Sequence, residues 1–301
     1  MYRSGRGPLR ERASGADNRD VGDAVPIRRN VTQARVRALA GGRVHERADR
    51  LATEEPMEIR AAGPGQSPVS VAVTMRTPGA DFELAAGFLF TEGLVAGRQD
   101  VRKVSYCEDL APDEQHYNVV TVDLARAFDP ASVHRNFFAT SSCGVCGKAT
   151  LDHVEVACSR VATGPTVSAD AIGRMPDELR RAQRVFDQTG GLHAAGLFAP
   201  SGKLLSLRED VGRHNAVDKL VGEAFLAGAT PLSDRVLFVS GRSSFEIVQK
   251  AGVAGIPVVA SVSAPSSLAV EAGERLGMTI VGFVRDGRCN VYTHPDRIVG
   301  L

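Results

Sequence analysis

Two cysteines three positions apart stand in the run Ser141-Ser142-Cys143-Gly144-Val145-Cys146-Gly147-Lys148, each followed by glycine. Glycine has no Cβ and reaches backbone angles closed to other residues, so a loop built this way is expected to stay mobile. A free thiol has a pKa of about 8.5 and is only a few per cent thiolate at neutral pH. Lys148, or a helix start beneath the loop, raises that fraction and makes a better nucleophile. Three uses compete. Structural zinc needs four ligands, one C-x-x-C supplies two, and Cys107, Cys158 and Cys289 offer no matching second pair. A thioredoxin-type redox pair sits on a helix start after a strand, and neither is evident around 141–148. Sulfur relay through a persulfide needs one exposed thiolate on a mobile loop and fits best, with the redox pair close behind. The other three cysteines lie in strand-like or apolar settings and read as core residues.

Charged chemistry is concentrated further along. Arg208-Glu209-Asp210-Val211-Gly212-Arg213-His214-Asn215 packs five ionisable side chains into seven positions before a helix. That is either an internal ion-pair cluster orienting a loop or a polar wall of a site, with His214 as a proton carrier near neutral pH. Ser240-Gly241-Arg242-Ser243 and Ser263-Ala264-Pro265-Ser266-Ser267 each follow an apolar run and open a helix. Helix starts hold anions well, although serine is also an ordinary N-cap. Phe283-Val284-Arg285-Asp286-Gly287-Arg288 is either a plain hairpin turn or a pair of arginines able to grip phosphate bidentately.

The elements that position these residues follow from periodicity. Val31 to Val44 hints at extended chain, followed by a polar, turn-rich stretch. Val69, Val71, Val73 and Met75 alternate as in a half-buried strand. Asp81 is placed to cap a helix carrying Phe82, Leu84, Ala85, Phe88 and Leu89, closed near Gly93. Strands are expected from Val101 to Cys107, from Tyr117 to Leu124, and over Leu151–Val156. Pro176 suits the first turn of a helix with Leu179, Ala182, Val185 and Phe186 on one face, ending at Gly190-Gly191. Beyond it, strands at 193–198 and 204–207 meet at Pro200-Ser201-Gly202. Asn215 caps a helix ended by Gly228, and Val236–Val239 reads as a buried strand. Ser243 and Glu246 form a capping box. Strands at 256–262, 278–284 and 289–293, with a helix over 266–276, complete the alternation. Such alternation implies a mostly parallel sheet with helices on both faces.

The 301 residues allow one large domain or two ordinary ones. Hydrophobic and charged shares of 43% and 24% are those of a globular protein. No apolar run approaches the roughly 18 residues of a membrane span, so no membrane role is expected. Net charge is +1 but uneven: residues 1–50 carry twelve Arg against six Asp/Glu, leaving +6 there and −5 over the remainder. Residues 1–32 read as a basic, solvated extension, without an apolar segment that would make a secretory signal and with no nucleic-acid role assigned. An odd cysteine count without an export signal suggests a reducing compartment, the cytoplasm. A small α+β domain is expected over 33–140, the cysteine loop and its connection over 141–170, and an α/β domain over 171–301.

Taken together, Cys143-Gly144-Val145-Cys146-Gly147, the run from Arg208 to Lys219, and Ser240-Gly241-Arg242-Ser243-Ser244-Phe245-Glu246 resemble the FdhD family of formate dehydrogenase accessory sulfurtransferases. The likeness extends over roughly 33–301 in the same order. It implies that sulfur is taken from a cysteine desulfurase as a persulfide on Cys143, with Cys146 assisting or accepting. It implies delivery to the molybdenum cofactor, as bis-molybdopterin guanine dinucleotide, before insertion into the formate dehydrogenase catalytic subunit. By the same resemblance, Phe283, Val284, Arg285, Asp286, Gly287 and Arg288 contact the guanine dinucleotide, there is no intrinsic metal, and the chain forms a homodimer. The implied fold is a cytidine-deaminase-like three-layer α/β sandwich with a smaller N-terminal α+β domain. Deaminase chemistry itself lacks its residues: His193-Ala194-Ala195 has no glutamate, and no proline precedes Cys143 or Cys146. A cofactor-binding chaperone without sulfur chemistry is the alternative reading.

Overall fold

The computed structural model describes residues 29–107, 118–130, 158, 160–161 and 163–301. The expected strand at 151–156 and the cysteine pair lie outside them. Among the described residues no helix is long and apolar enough to cross a membrane.

The first described element is a two-stranded ribbon, β1 (Val31–Ala40) and β2 (Arg43–Ala52), paired over ten residues. Gly41 and Gly42 turn it with φ of 57° and 75°, as a tight hairpin requires. The sequence hinted at only one extended stretch here. β2 has no apolar alternation to read, because nearly all of its side chains face water.

A four-stranded sheet follows, in the order β4-β3-β6-β5, from β3 (Glu55–Ala62), β4 (Val69–Arg76), β5 (Val101–Tyr106) and β6 (Val119–Leu124). One face carries Met57, Ile59, Val120 and Val122 against α1 (Asp81–Thr91), whose Leu84 and Leu89 are fully buried. Asp81 does not cap this helix. Ala80, at φ 55°, holds the N-cap position. The Asp81 carboxylate instead takes two N–H groups of the buried Arg76 at 3.1 and 2.9 Å.

The second half is a three-layer sandwich. Its six-stranded sheet has the order β13-β12-β11-β10-β8-β9. The strands are β8 (His193–Phe198), β9 (Leu204–Asp210), β10 (Val236–Val239), β11 (Val258–Ser261), β12 (Thr279–Arg285) and β13 (Arg288–Val291). A short parallel pair, β7 (Val167–Ser168) with β14 (Ile298–Val299), lies beside it. β10, β11 and β12 are parallel, and the flanking pairs are antiparallel. Alternate side chains go to opposite faces. Leu237, Val239, Val259 and Ile280 meet α4 (Arg213–Leu226), α5 (Phe245–Val253) and α6 (Ser267–Leu276). Val236, Phe238, Val258, Ala260 and Val281 meet α2 (Ala169–Ala182).

Several helix starts differ from expectation. α2 begins at Ala169, where the Ser168 hydroxyl accepts the Ala171 N–H at 3.1 Å, so Pro176 lies inside the helix. Chain direction changes at Gln183, and α3 (Arg184–Thr189) ends at Gly190 with φ 68°. α4 is capped by Gly212, not Asn215. The Asn215 amide is spent on the Met75 carbonyl at 2.8 Å and the Asp210 carboxylate at 3.1 Å. Ser244, not Ser243, stands at the N-cap of α5. At Asp81 and Asn215 a short polar side chain near a helix start found a partner outside its own helix, which spacing does not reveal.

The two halves share one apolar core. α1 crosses α4 at Gly87 and Gly222, where a Cβ on Gly222 would lie 1.8 Å from the Glu83 carbonyl oxygen and one on Gly87 1.9 Å from that of Asp218. Backbone therefore touches backbone. Around that crossing the Lys250 ammonium is buried against Glu92 at 2.7 Å, Asp218 at 2.9 Å and Thr91 at 3.0 Å. Burial pulls the lysine pKa down, but Asp218 and Glu92 outweigh it and raise the net value. Burial also pushes Asp218 up to about 6, against the pull of Lys250.

Candidate functional site

Parallel strands end together, so the loops after β10, β11 and β12 emerge at one edge of the large sheet, where ligands of open α/β sheets bind. β9 also ends there, and β8, running the other way, begins there with His193 paired to Asp210. The polar segments singled out by sequence, Arg208–Asn215, Ser240–Ser243, Ser263–Ser267 and Phe283–Arg288, are brought to this edge. The loops are stitched to one another. The Ser266 N–H donates to the Ser243 carbonyl at 3.0 Å, and the Phe283 N–H to that of Ser263 at 3.2 Å. The starts of α4, α5 and α6 open on the same side, and backbone N–H groups at such starts favour anions.

The ionisable run divides into two roles. Asp210 is fully buried and paired with Lys219 at 2.6 Å, and the Glu209 carboxylate accepts the Val185 and Phe186 N–H groups at 3.0 and 2.8 Å. Arg208 bridges Glu223 at 2.9 Å and Glu83 at 3.5 Å. These hold the loop. Arg213 and His214 instead face the edge. The Arg213 Nε–H donates to His214 Nε2 at 3.3 Å, the Ser244 hydroxyl lies 3.3 Å from the same nitrogen, and Glu246 is 3.8 Å away. Burial first, then Arg213, lowers the His214 pKa to about 4, against the opposing pull of Glu246. The sequence reading of His214 as a proton carrier near pH 7 is therefore corrected: the ring is neutral there and acts as an acceptor. His193, which sequence gave no reason to choose, joins the same wall; burial and then Arg213 lower its pKa, with Asp210 opposing.

Of the serines, Ser266 caps α6 through the Ala269 N–H at 3.2 Å. Ser244 turns its hydroxyl to His214 rather than to its helix. Ser243 is fully buried and its hydroxyl has no hydrogen-bond partner among the described residues.

Phe283–Arg288 forms the turn joining β12 to β13. Arg285 pairs with Arg288 across it, and the turn residues Asp286 and Gly287 have φ of 52° and 68°. A bulge between Gly282 and Arg285 puts Phe283 at φ 53°, a strained conformation for an aromatic residue. Val284 is fully buried in the core against α2, so among the six residues of this segment it supports the turn from beneath. Arg285 and Arg288 are exposed; Arg285 lies 5.9 Å from the Phe283 ring centroid and Arg288 3.6 Å from Asp286. Asp286 and Gly287 are exposed too. A Cβ on Gly173 of α2 would lie 3.5 Å from the Gly287 Cα, an ordinary van der Waals contact.

Arg213, Arg242, Arg285 and Arg288 thus stand along one sheet edge above three helix starts. That arrangement suits a ligand with several phosphates. A cleft of about 450 Å³ on the four-stranded sheet, beside Gly63–Gln66, Arg102, Lys103 and Asp123, is lined by ordinary surface charges. Cys158 is buried beside α5 and burial pushes its thiol up to about 12, while Cys107 and Cys289 are half-buried. Cys143 and Cys146 lie outside the described residues, so the structure does not relate them to this edge.

Comparison with known proteins places the chain. Over residues 52–299 it matches the model of the FdhD/NarQ family. It is 55% identical over 273 residues to the sulfur carrier protein FdhD of Mycobacterium tuberculosis, covering 88% of this chain and 97% of that one. The protein of the same name from Streptomyces coelicolor is 50% identical over 275 residues, covering 89% and 96%. In fold it is similar to the crystal structure of a formate dehydrogenase accessory protein from Desulfotalea psychrophila. The TM-score is 0.68 at 24% identity, over 90% of this chain and all of the other. On the extent of these matches, the chain belongs to the FdhD/NarQ family.

Proposed function

We propose that this protein is a cytoplasmic sulfur carrier that serves formate dehydrogenase. Cys143 takes sulfur from a cysteine desulfurase and passes it to a molybdenum cofactor, in the bis-molybdopterin guanine dinucleotide form, held at the arginine-lined edge. The observation that carries the reading is the C-x-x-C pair in a chain half identical to proteins named sulfur carriers. The phosphate-compatible edge supports it independently, since a dinucleotide brings several phosphates and the four arginines and three helix starts complement them.

In the first step the Cys143 thiolate attacks the outer sulfur of the donor's persulfide. The S–S bond there breaks, the donor cysteine leaves as thiolate, and Cys143 carries the persulfide, with no net oxidation. Delivering that sulfur as sulfide requires two electrons. Cys146 can supply them by attacking the inner sulfur of Cys143, closing a Cys143–Cys146 disulfide and releasing hydrosulfide toward the cofactor, which is the substrate of this step. His214, held neutral, positions Arg213 through the Nε–H···Nε2 bond rather than moving protons.

A chaperone that binds the cofactor without sulfur chemistry is favoured by the same arginines. Complementation of a strain lacking its own carrier separates the two. The sulfur-carrier reading expects Cys143→Ala to abolish formate dehydrogenase activity; activity retained in that variant and lost in Arg285→Ala/Arg288→Ala would establish the chaperone instead.

A further inference from the structure

β13 turns its two faces to different surroundings. Cys289 and Val291 pack into the apolar cluster against α2, while Arg288 and Asn290 alternate with them on the other side and are exposed. Tyr292 continues that exposed row by one further step, its N–H donating to the Ile280 carbonyl at 2.9 Å. One side of the strand therefore presents an arginine, an amide and an aromatic ring in a line. Asn290 and Tyr292 belong to neither apolar cluster, and Tyr292 is 38% exposed.

The tyrosine is held in place without being used. Gly282, which pairs with Asn290, makes room for it: a Cβ there would lie 3.1 Å from the Tyr292 Cε2 and 2.8 Å from the Pro265 Cδ. The hydroxyl-bearing end of the ring thus rests over bare backbone, beside the loop that opens α6. Among the described residues, neither the Tyr292 hydroxyl nor the Asn290 side-chain amide has a hydrogen-bond partner, and no ring or cation faces Tyr292. The Phe283 ring, by contrast, already has the Arg285 guanidinium 5.9 Å from its centroid.

Side chains on one face of a strand recur about every 6.8 Å, so Tyr292 stands about 14 Å from Arg288 along the row. A nucleoside diphosphate in extended form separates its charged and aromatic ends on that scale. Guanidinium groups grip phosphate, an aromatic ring stacks with a base, and a carboxamide offers two donors and an acceptor to a base edge. The three chemistries occur here in the order a nucleotide needs them. Of the two aromatic rings near the turn, Tyr292 is the open one. A bicyclic purine covers more of it than a single pyrimidine ring does.

We propose that Asn290 and Tyr292 form the base-reading half of the nucleotide site. Tyr292 stacks a purine and Asn290 addresses its polar edge, while Arg285 and Arg288 hold the diphosphate. The proposal rests on the reading of this edge as the place that holds a dinucleotide cofactor. It gives the site a preference for purine over pyrimidine nucleotides and assigns that preference to β13 rather than to the helix starts.

Calorimetry of the full chain with guanosine diphosphate, cytidine diphosphate and inorganic pyrophosphate is the test. The wild type is expected to bind the guanosine ligand more tightly than the cytidine one. Tyr292→Leu is expected to weaken guanosine diphosphate at least about fivefold, the worth of one base–aromatic stack, and to leave pyrophosphate unchanged. Tyr292→Phe keeps the stack and binds guanosine diphosphate as the wild type does. Asn290→Ala should bring the guanosine and cytidine affinities closer together. The chain has four tyrosines, so the Tyr292 ring signals can be followed by magnetic resonance in the wild type. They should move with guanosine diphosphate and stay in place with pyrophosphate. The proposal is overturned by equal wild-type affinity for the two nucleotides, by unmoved ring signals, or by an Asn290→Ala ratio equal to that of the wild type. It is overturned equally by a Tyr292→Leu variant that keeps its guanosine affinity or loses pyrophosphate to the same extent. In those cases, binding that still depends on Arg285 and Arg288 leaves the cofactor edge standing. A wild type that binds none of the three ligands overturns both.

Discussion

Arg213 donates its Nε–H to Nε2 of His214 at 3.3 Å, and a nitrogen that accepts this bond cannot itself carry a proton. The contact fixes the tautomer: the ring proton is on Nδ1. It also makes an otherwise titratable residue into a neutral support for an arginine at the anion-binding edge.

Proton nuclear magnetic resonance of His214 should therefore show no titration between pH 8 and about 5, its pKa being near 4. Movement of its ring signals around pH 6.5 would mean that the Arg213 bond is not formed.

Stability carries the same signature. Between roughly pH 6.5, the unperturbed value, and pH 4, the unfolded chain binds a proton at His214 that the folded chain refuses, so this group's contribution falls as pH falls. Asp218 runs the other way. Its folded pKa of about 6 lies above the ordinary 3.8, so its contribution is present at low pH and is lost as pH rises through 6. The two oppose each other in one window. On going from pH 7 to 4.5 in urea unfolding, His214→Gln should lose less stability than the wild type. Equal losses would remove His214 from the account.

The buried ion cluster makes a sharper prediction. Lys250→Met leaves Asp218 and Glu92 buried without their cation and should cost about 3–5 kcal/mol. Lys250→Met with Asp218→Leu should recover part of that loss. At the helix crossing, Gly222→Ala meets the Glu83 carbonyl, a backbone atom that cannot swing aside, and should cost about 3 kcal/mol by chemical denaturation.

Guanosine diphosphate, a fragment of the proposed ligand, should bind the full chain by calorimetry. Arg285→Ala and Arg288→Ala should each weaken it about 10–100-fold, the worth of a charge-assisted hydrogen bond of about 1.5–3 kcal/mol. Cys143→Ala should bind it as the wild type does. Undiminished binding by the double arginine variant would move the nucleotide elsewhere.

Much of this was legible in the sequence for definite reasons. Val236–Val239 is apolar throughout because both faces of a central parallel strand are covered, and Gly190, Gly228 and Gly277 mark helix ends through their positive φ. The segments after β10, β11 and β12 share an edge because those strands are parallel, whereas Arg208–Asn215 reaches it through the antiparallel β8–β9 pair. Helix starts at Asp81 and Asn215 were misplaced because each side chain is engaged across the tertiary structure, with Arg76 or with Met75 and Asp210, and at Ser243 because the next serine holds the N-cap position. β2 was invisible because a strand bathed in water on both faces needs no apolar pattern. His214 misled for a related reason: a type with a pKa near neutrality says nothing about the arginine that will sit beside it. Val284 reads as part of a binding segment by position, yet the bulge at Phe283 turns it into the core.

The central claim is that Cys143 carries sulfur. Incubating the full chain with a cysteine desulfurase and cysteine, then measuring intact mass without reductant, should show an added mass of about 32 Da, one sulfur atom, as expected of persulfide formation by thiolate attack. Dithiothreitol should remove it, and Cys143→Ala should not acquire it. A Cys143→Ala protein that gains the same sulfur, or a wild type that gains none, would contradict the account.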